Sequence, residues 1–317
     1  MKEIGGYFEL ENLISNEFHS DLIALNTARN ALVYLIKAKK IKRVFLPFFL
    51  CDSVAKACER EGVAVEYYHI NDDFTPVFQR ELHRDEYLYI VNYYATLSNE
   101  QIVGFKKVYE NIIIDNVQSF FQKPVENVDT IYCCRKFFGV PDGAYLSTDT
   151  KIDEIVETDI SKDRMTHVLG RYEGSSSDYY NDFKANDKSF ESLPLMYMSR
   201  LTHNILGAID YERAKQVREN NFKFISNFLD DYNRIKVNIG NVPFMYPFYC
   251  EDGMDLKIQL AKKGVFVPTF WPNVLNFESC ELEKDYTQNI LPLPIDQRYG
   301  LEDMEYIINS IKKEIIQ

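Results

Sequence analysis

Two hydrophobic periods take turns along the first half of the chain, and the switches between them lay out an order of elements. Asn30 to Lys40 places Ala31, Leu32, Leu35, Ile36 and Ala38 on one side, the spacing of an amphipathic helix. Arg43-Val-Phe-Leu-Pro47 reads as a short strand stopped by its proline. Cys51 to Glu61 returns to helix, with Gly62 where helices commonly end. Val63 to Ile70 and the more apolar Tyr87 to Tyr93 are strands, separated from the buried strand Asn111-Ile-Ile-Ile-Asp115 by a helix from Gln101 to Tyr109. Asp129 to Cys134 and Gly143 to Ser147 complete the set. From Ile152 to Glu191 the chain is rich in Asp, Ser, Lys and Tyr without a clear period, which predicts surface loops and short helices near a partner subunit. A long helical pattern runs from Leu193 to Tyr232. After it come a strand at Val242 to Cys250, a helix at Asp255 to Lys263, a strand at Val265 to Pro268 and a last helix from Leu301 to Ile316.

Strands alternating with helices predict an α/β fold, a mostly parallel sheet sandwiched by helices. The division expected is a large domain over residues 1–192 and a smaller α+β domain over residues 193–317. No internal repeat is visible. Ligands of such sheets bind beyond the carboxyl ends of the strands, which points at Pro47 to Cys51, Asn92 to Tyr94, Asp115 to Gln118 and Cys134 to Lys136.

Composition narrows the function classes. The 317 residues can bury a sizeable core, and a hydrophobic fraction of 46% argues for a folded globule. A formal charge of -12 disfavours a nucleic-acid partner, yet leaves room for a small phosphorylated ligand held by a few local donors. No run of apolar residues reaches the length of a membrane span, and the N-terminus lacks the basic-then-apolar order of a signal peptide. The six cysteines form no CxxC pair and the five histidines show no ligand spacing, so neither a disulfide framework nor a metal site is expected. These features together lead to the expectation of a cytoplasmic protein.

Three short pieces carry candidate chemistry. Lys136 is followed at once by two phenylalanines and a turn, an odd place for a solvated charge. An apolar pocket, or the neighbouring Arg135, disfavours the ammonium form and leaves the neutral amine that a Schiff base needs; a lysine snorkelling from a strand end is the plain alternative. Asp115 closes a buried strand and faces the ligand crevice, where a carboxylate can keep a pyridine nitrogen protonated. Gln118 can donate to a phenolic oxygen of the same ring. An acid capping a following helix is the alternative for Asp115. Asn26-Thr-Ala-Arg-Asn-Ala-Leu32 is a polar turn feeding a helix, whose free N–H groups suit a phosphate, with Thr27 and Arg29 adding a hydroxyl and a charge; an ordinary N-cap would look the same. Arg200 and Arg218 read most simply as solvated helix charges. Phe244 to Phe248 and Phe270-Trp-Pro272 read as core or pocket wall, with Trp271 the favoured wall residue.

Taken together, these pieces resemble the DegT/DnrJ/StrS family of sugar aminotransferases, enzymes of the fold type I pyridoxal phosphate (PLP) class. The matching motifs are Thr27-Ala-Arg-Asn-Ala-Leu32, Asp115-Asn-Val-Gln118, Lys136-Phe-Phe-Gly-Val-Pro-Asp-Gly-Ala-Tyr-Leu146 and the Leu-Pro segment Ile290 to Tyr299. The resemblance implies that Lys136 holds PLP covalently and acts as acid and base. It further implies that Asp115 contacts the pyridine nitrogen, Gln118 the phenolic oxygen, and Thr27 with the Ala28 backbone and Arg29 the phosphate. The family stacks an aromatic ring on PLP at the position of Cys51, so Phe49 or another side chain would take that place. Cys133 or Cys134 stands where a serine is expected, and the Tyr-Asn-Tyr-Arg loop of the family is not recognisable around Leu193 to Leu201. The implied activity moves an amino group from an amino acid, glutamate foremost, to a keto-sugar, nucleotide-linked, in a homodimer that serves polysaccharide or amino-sugar biosynthesis. Another PLP reaction on the same scaffold, decarboxylation or elimination, and a non-catalytic PLP-binding relative are the competing readings.

Overall fold

A computed structural model describes residues 4, 6–236 and 240–315. Its main sheet has eight strands in the order β1-β8-β7-β6-β5-β2-β3-β4. They are β1 (Ile23–Leu25), β2 (Arg43–Pro47), β3 (Ala64–Ile70), β4 (Pro76–Val77), β5 (Glu86–Val91), β6 (Ile112–Asp115), β7 (Asp129–Cys133) and β8 (Ala144–Ser147). The five central strands, β7, β6, β5, β2 and β3, are parallel, while β8 and β4 run against their neighbours. Every residue of β5, β6 and β7 is buried. Because successive side chains point to opposite faces, the sheet is covered on both sides, which explains why these strands read as continuous apolar runs.

Helices α1 (Ala28–Lys39), α2 (Asp52–Arg60) and α3 (Asn99–Tyr109) connect the strands. Each starts about where its polar turn stands in the sequence. Ser98 and Gln101 form a capping box that begins α3 two residues before the periodic pattern does. β2 leads outward to β3, whereas β5 lies on the other side of β2, so the strand order reverses between β2 and β5. Beyond the sheet come α4 (Thr166–Glu173), α5 (Tyr180–Ser189), α6 (Arg200–Leu206) and α7 (Tyr211–Leu229). The remainder is β9 (Tyr246–Tyr249), α8 (Gly253–Lys262), α9 (Glu281–Asn289), β10 (Ile290–Leu293) and α10 (Leu301–Ile315), with β9 and β10 forming a separate antiparallel pair. A distinct core gathers around that pair, including Ile225, Phe248, Leu260, Leu291 and Ile308.

Several expectations need correction. The long helical pattern from Leu193 to Tyr232 is broken into α6 and α7. Gly207 ends α6, and a Cβ there would lie 2.7 Å from the carbonyl oxygen of Ile14, because the N-terminal segment crosses at that point. Asp210 then caps α7 through the Arg213 N–H. Residues 193–199 are not helical; the Asn26 N–H donates to the Met196 carbonyl, fastening this stretch beside β1. Val265 to Pro268 forms no regular element and pairs with no strand among the described residues, and Val265 is simply buried in the second core. The strand expected over Val242 to Cys250 is confined to β9. The sequence reading missed β1, β4, α9 and β10, all short or masked by polar residues. Ile316, the expected end of the last helix, lies outside the described residues.

Candidate active site

The carboxyl ends of β5, β6 and β7 meet at one place. Asp115 is the last residue of β6 and is almost fully buried. Its Oδ1 accepts the Val117 N–H (2.9 Å) and its Oδ2 accepts the Tyr89 hydroxyl (2.8 Å). No helix follows, so capping of a following helix does not explain this acid; the Val117 bond closes a local turn. Burial raises the Asp115 pKa, against the lowering effects of the Val117 N–H, the Tyr89 hydroxyl and the Lys136 charge. Lys136 is therefore near enough for its charge to act on Asp115. A buried carboxylate whose hydrogen bonds all come from neutral donors is poised to take a cationic partner.

Lys136 lies in the turn that follows β7, shaped by Phe137 and Phe138 N–H bonds to the Cys134 carbonyl (3.0 and 2.9 Å). Its side chain is solvent-accessible, and its Nζ stands 5.5 Å from the centre of the Phe244 ring and 5.7 Å from that of Phe270. These two rings stack on each other, and Tyr94 stacks on Phe270 in turn. Phe270, not the favoured Trp271, is thus the ring beside the amine. Trp271 packs edge-on against Phe49 at 4.6 Å inside the main core. Phe49 itself is fully buried among Phe74, Tyr93, Trp271 and Tyr286. Cys51 is half-buried just before α2, with its Sγ 2.9 Å from Ser53 Oγ. Arg218 is fully buried, which corrects its reading as a solvated charge. It donates to Gln297 (2.8 Å) and to the carbonyls of Pro243 and Phe244, lies over the Phe137 ring, and so ties the Lys136 turn to the second core. Gln297 Nε2 also donates to the Phe137 carbonyl (2.7 Å). Arg200 is exposed, as expected.

Gln118 supplies the most telling contact. Its side chain is 0% exposed, and its Oε1 accepts the Tyr94 N–H at 2.8 Å. That bond fixes the amide the other way round, so Nε2 is a donor, and Nε2 is buried with no partner among the described residues. Buried polar groups are satisfied in the great majority of cases, so an orphan donor three residues along the chain from a buried acid marks a ligand-facing position. Tyr94 and Ala95 both have positive φ (54° and 65°), a strained pair for non-glycine residues. A buried amide network holds them. Asn92 Nδ2 donates to Asn116 (3.0 Å) and Gln122 (2.6 Å), Asn92 Oδ1 accepts the Leu97 N–H (2.8 Å), and Gln122 donates to the Leu97 carbonyl and to Asn99. Asn92 to Tyr94 is expected at the crevice as a strand end, whereas Tyr89 and Gln122 carry no sequence signal that would single them out.

The N-terminus of α1 completes the set. Thr27 is its N-cap, with Oγ1 accepting the Asn30 N–H at 3.1 Å, which leaves the Ala28 and Arg29 N–H groups without intrahelical acceptors. Arg29 Nη1 is buried and unpartnered. The charge of Arg29 also acts on that of Arg135, the neighbour of Lys136. The link is structural too, since the Gly143 N–H donates to the Asn26 carbonyl (2.7 Å) and Gly143 accepts the Cys134 N–H. At φ 117°, with Cys134 and Thr202 packed where a Cβ would sit, position 143 demands glycine. A surface cavity of about 510 Å³, bordered by Tyr34, Lys151, Tyr197 and Arg200, lies at the β1 edge and includes none of these groups. Chemistry, not volume, locates the site.

No family model matches the sequence, and no curated protein matches it. Its fold, however, is that of solved PLP fold type I structures. A DegT/DnrJ/EryC1/StrS aminotransferase from Brucella abortus superposes with a TM-score of 0.63 at 16% identity, covering 92% of this chain and 85% of that one. NtdA from Bacillus subtilis, with bound cofactor PMP, gives 0.65 at 14% identity over 93% and 73%. The sugar aminotransferase CalS13 from Micromonospora echinospora gives 0.60 at 10% identity over 92% and 87%. At these identities the likeness establishes the architecture.

Proposed function

We propose that this chain is a PLP-dependent aminotransferase that takes an amino group from an amino acid, glutamate foremost, and delivers it to a keto-sugar carried on a nucleotide. The observation that carries the reading is the unpartnered, buried Gln118 Nε2, three residues along the chain from the buried Asp115 carboxylate on which the Lys136 charge acts. The residues fit the group. Asp115 would hold the ring nitrogen, Gln118 Nε2 would donate to the ring oxygen, and the Ala28 and Arg29 N–H groups with Thr27 would hold the phosphate at the positive end of α1. When bound, PLP supplies an electron sink conjugated to the carbon that loses its proton.

The chain's own residues would do the rest. Asp115, as a carboxylate facing the ring nitrogen, would keep that nitrogen protonated. Lys136 Nζ is the amine that would bond the cofactor and then, once freed, take a proton from the substrate carbon and return it. The stacked Phe244 and Phe270 flank that amine on one side, at 5.5 and 5.7 Å from Nζ to the ring centres. Cys51 and Phe49 are the positions the family reading links to ring stacking; burial of Phe49 in the core favours Cys51 as the one of the two that faces cofactor.

The same reading places the enzyme in the cytoplasm as a homodimer, a partner supported by the exposed apolar side chains Ile155, Leu169, Tyr172, Tyr180 and Phe183 on and beside α4 and α5. It also divides the chain near residue 192 into a cofactor-binding part and a smaller closing part, with the segment that leads into α6 still riding on the main sheet. The test is direct. Full-length protein should show the visible absorbance of lysine-bound PLP and release a ketoacid from glutamate, and Lys136→Ala should lose both. Retained turnover in that variant, or cofactor absorbance that glutamate never discharges, rejects the aminotransferase reading.

A further inference from the structure

A second group of chemically competent side chains stands apart from the candidate active site, where the sequence offers no spacing to suggest it. His69, at the end of β3, meets Cys280 and Glu283, the N-cap and the first turn of α9. One ligand atom from each, the imidazole nitrogen, the sulfur and a carboxylate oxygen, lies within 4.8 Å of the other two. His69 and Glu283 are 214 residues apart, so only the fold assembles the set.

Glu283 and Cys280 are each 1% exposed, whereas His69 opens to solvent. Glu283 Oε1 accepts the Ile70 N–H at 3.1 Å and sits 3.0 Å from His69 Nδ1; among the described residues His69 is its one ion-pair partner. A carboxylate taken this far out of water without a lysine or arginine is expensive to bury. A plain His–Glu contact leaves that charge poorly matched and leaves the buried thiol beside it unexplained. A nucleophilic Cys–His pair fits worse, because a thiol this enclosed gives a substrate no approach.

We propose that His69, Cys280 and Glu283 form a divalent transition-metal site of the zinc class, with water from the open side as fourth ligand. Imidazole, thiolate and carboxylate together are a zinc-type donor set. Ligands of a tetrahedral zinc ion stand about 3.5 Å from one another, so small rotamer changes within the present spacing suffice. On binding, Cys280 releases its thiol proton to solvent, and thiolate and carboxylate together cancel the dication. The metal would fasten the end of β3 to α9, which runs directly into β10 and the segment whose Gln297 holds the Phe137 carbonyl next to Lys136.

The experiment uses the full chain, stripped with a chelator and titrated with zinc chloride or cobalt chloride alone. We expect one metal per chain, a higher melting temperature, and with cobalt a sulfur-to-metal absorption band in the near ultraviolet. Cys280→Ser should abolish that band. His69→Gln, at a solvent-open position that tolerates the change, should weaken binding by more than the roughly 10–100-fold typical of losing an outer-shell partner. Failure to bind metal stoichiometrically, binding that His69→Gln leaves intact, or rapid alkylation of Cys280 in protein that retains no metal overturns the proposal. None of these readouts depends on aminotransferase activity.

Discussion

The Gln118 amide faces two ways, and replacing it with methionine separates the two roles. Gln118→Met keeps the approximate length and removes both hydrogen-bonding ends. On the protein side, the Tyr94 N–H loses its 2.8 Å acceptor at a fully buried residue already held at φ 54°. An orphaned buried donor costs about 1–3 kcal/mol, so the cofactor-free variant should unfold at lower urea by that amount. Trp271, the only tryptophan, is buried against Phe49 and reports this unfolding by its fluorescence. On the ligand side, the variant loses a donor to an anionic ring oxygen. Hydrogen bonds to charged groups contribute about 1.5–3 kcal/mol, which is roughly 10- to 150-fold in PLP affinity, read from a titration of bound-cofactor absorbance. A variant that loses stability yet binds PLP within about threefold of the parent would reduce Gln118 to a structural amide, removing the observation on which the functional reading stands. Unchanged urea stability would mean that the Tyr94 bond is not what orients the amide.

Other perturbations test other links. Asp115→Asn should lower turnover by roughly 10²-fold or more while PLP is still captured, since the phosphate turn and Lys136 are untouched; equal losses in capture and turnover would contradict an electronic role. Gly143→Ala forces a side chain into φ 117° against Cys134 and Thr202, and should cost about 1–3 kcal/mol of stability in thermal melts, with little loss pointing to a backbone that relaxes. His19 has its pKa pushed down to about 4 by burial, while its Nε2 is 2.7 Å from the Phe120 carbonyl. As pH falls below 6.5 the unfolded chain protonates this residue before the folded one does. Stability should therefore decline between pH 6.5 and about 4 by about 3 kcal/mol, and His19→Gln should flatten that part of the profile. A wild-type curve with no slope there would show that His19 charges freely in the fold.

Which parts of this molecule were legible in its sequence follows from which forces act locally. The strands β2, β5, β6 and β7 are buried on both faces, so each appears as an apolar run closed by a turn residue; β3, where only Tyr68 and Ile70 are buried, is more polar, yet the ends of all five were readable to within a residue or two. Asp115 and Lys136 stood out for the complementary reason: each is a charge placed where the apolar pattern forbids one. What could not be read was anything fixed by contact between distant segments. Gly207 looks like any helical glycine until the N-terminal segment is known to cross it, and Arg218 looks solvated until Gln297 and the Pro243 and Phe244 carbonyls close around it. The pocket wall was misjudged on the same ground. Phe270 and Trp271 are adjacent and equally apolar, yet one ring stands by Lys136 while the other packs edge-on against Phe49 in the core.

The strained turn at Tyr94 and Ala95 shows why function and legibility part company. Two consecutive non-glycine residues with positive φ cost about 1–3 kcal/mol each, and nothing in Asn92-Tyr-Tyr-Ala95 announces them. The Asn92–Gln122 amide network offsets that cost from buried groups up to 30 residues away. Its product is a single backbone N–H aimed at Gln118 Oε1, which leaves the far end of that amide buried and without a partner among the described residues. A softer turn would leave the Gln118 amide free to flip and present its oxygen instead. The chain has thus spent local favourability on fixing the sense of one donor, which is a sound use of strain only where a ligand has to find that donor in place.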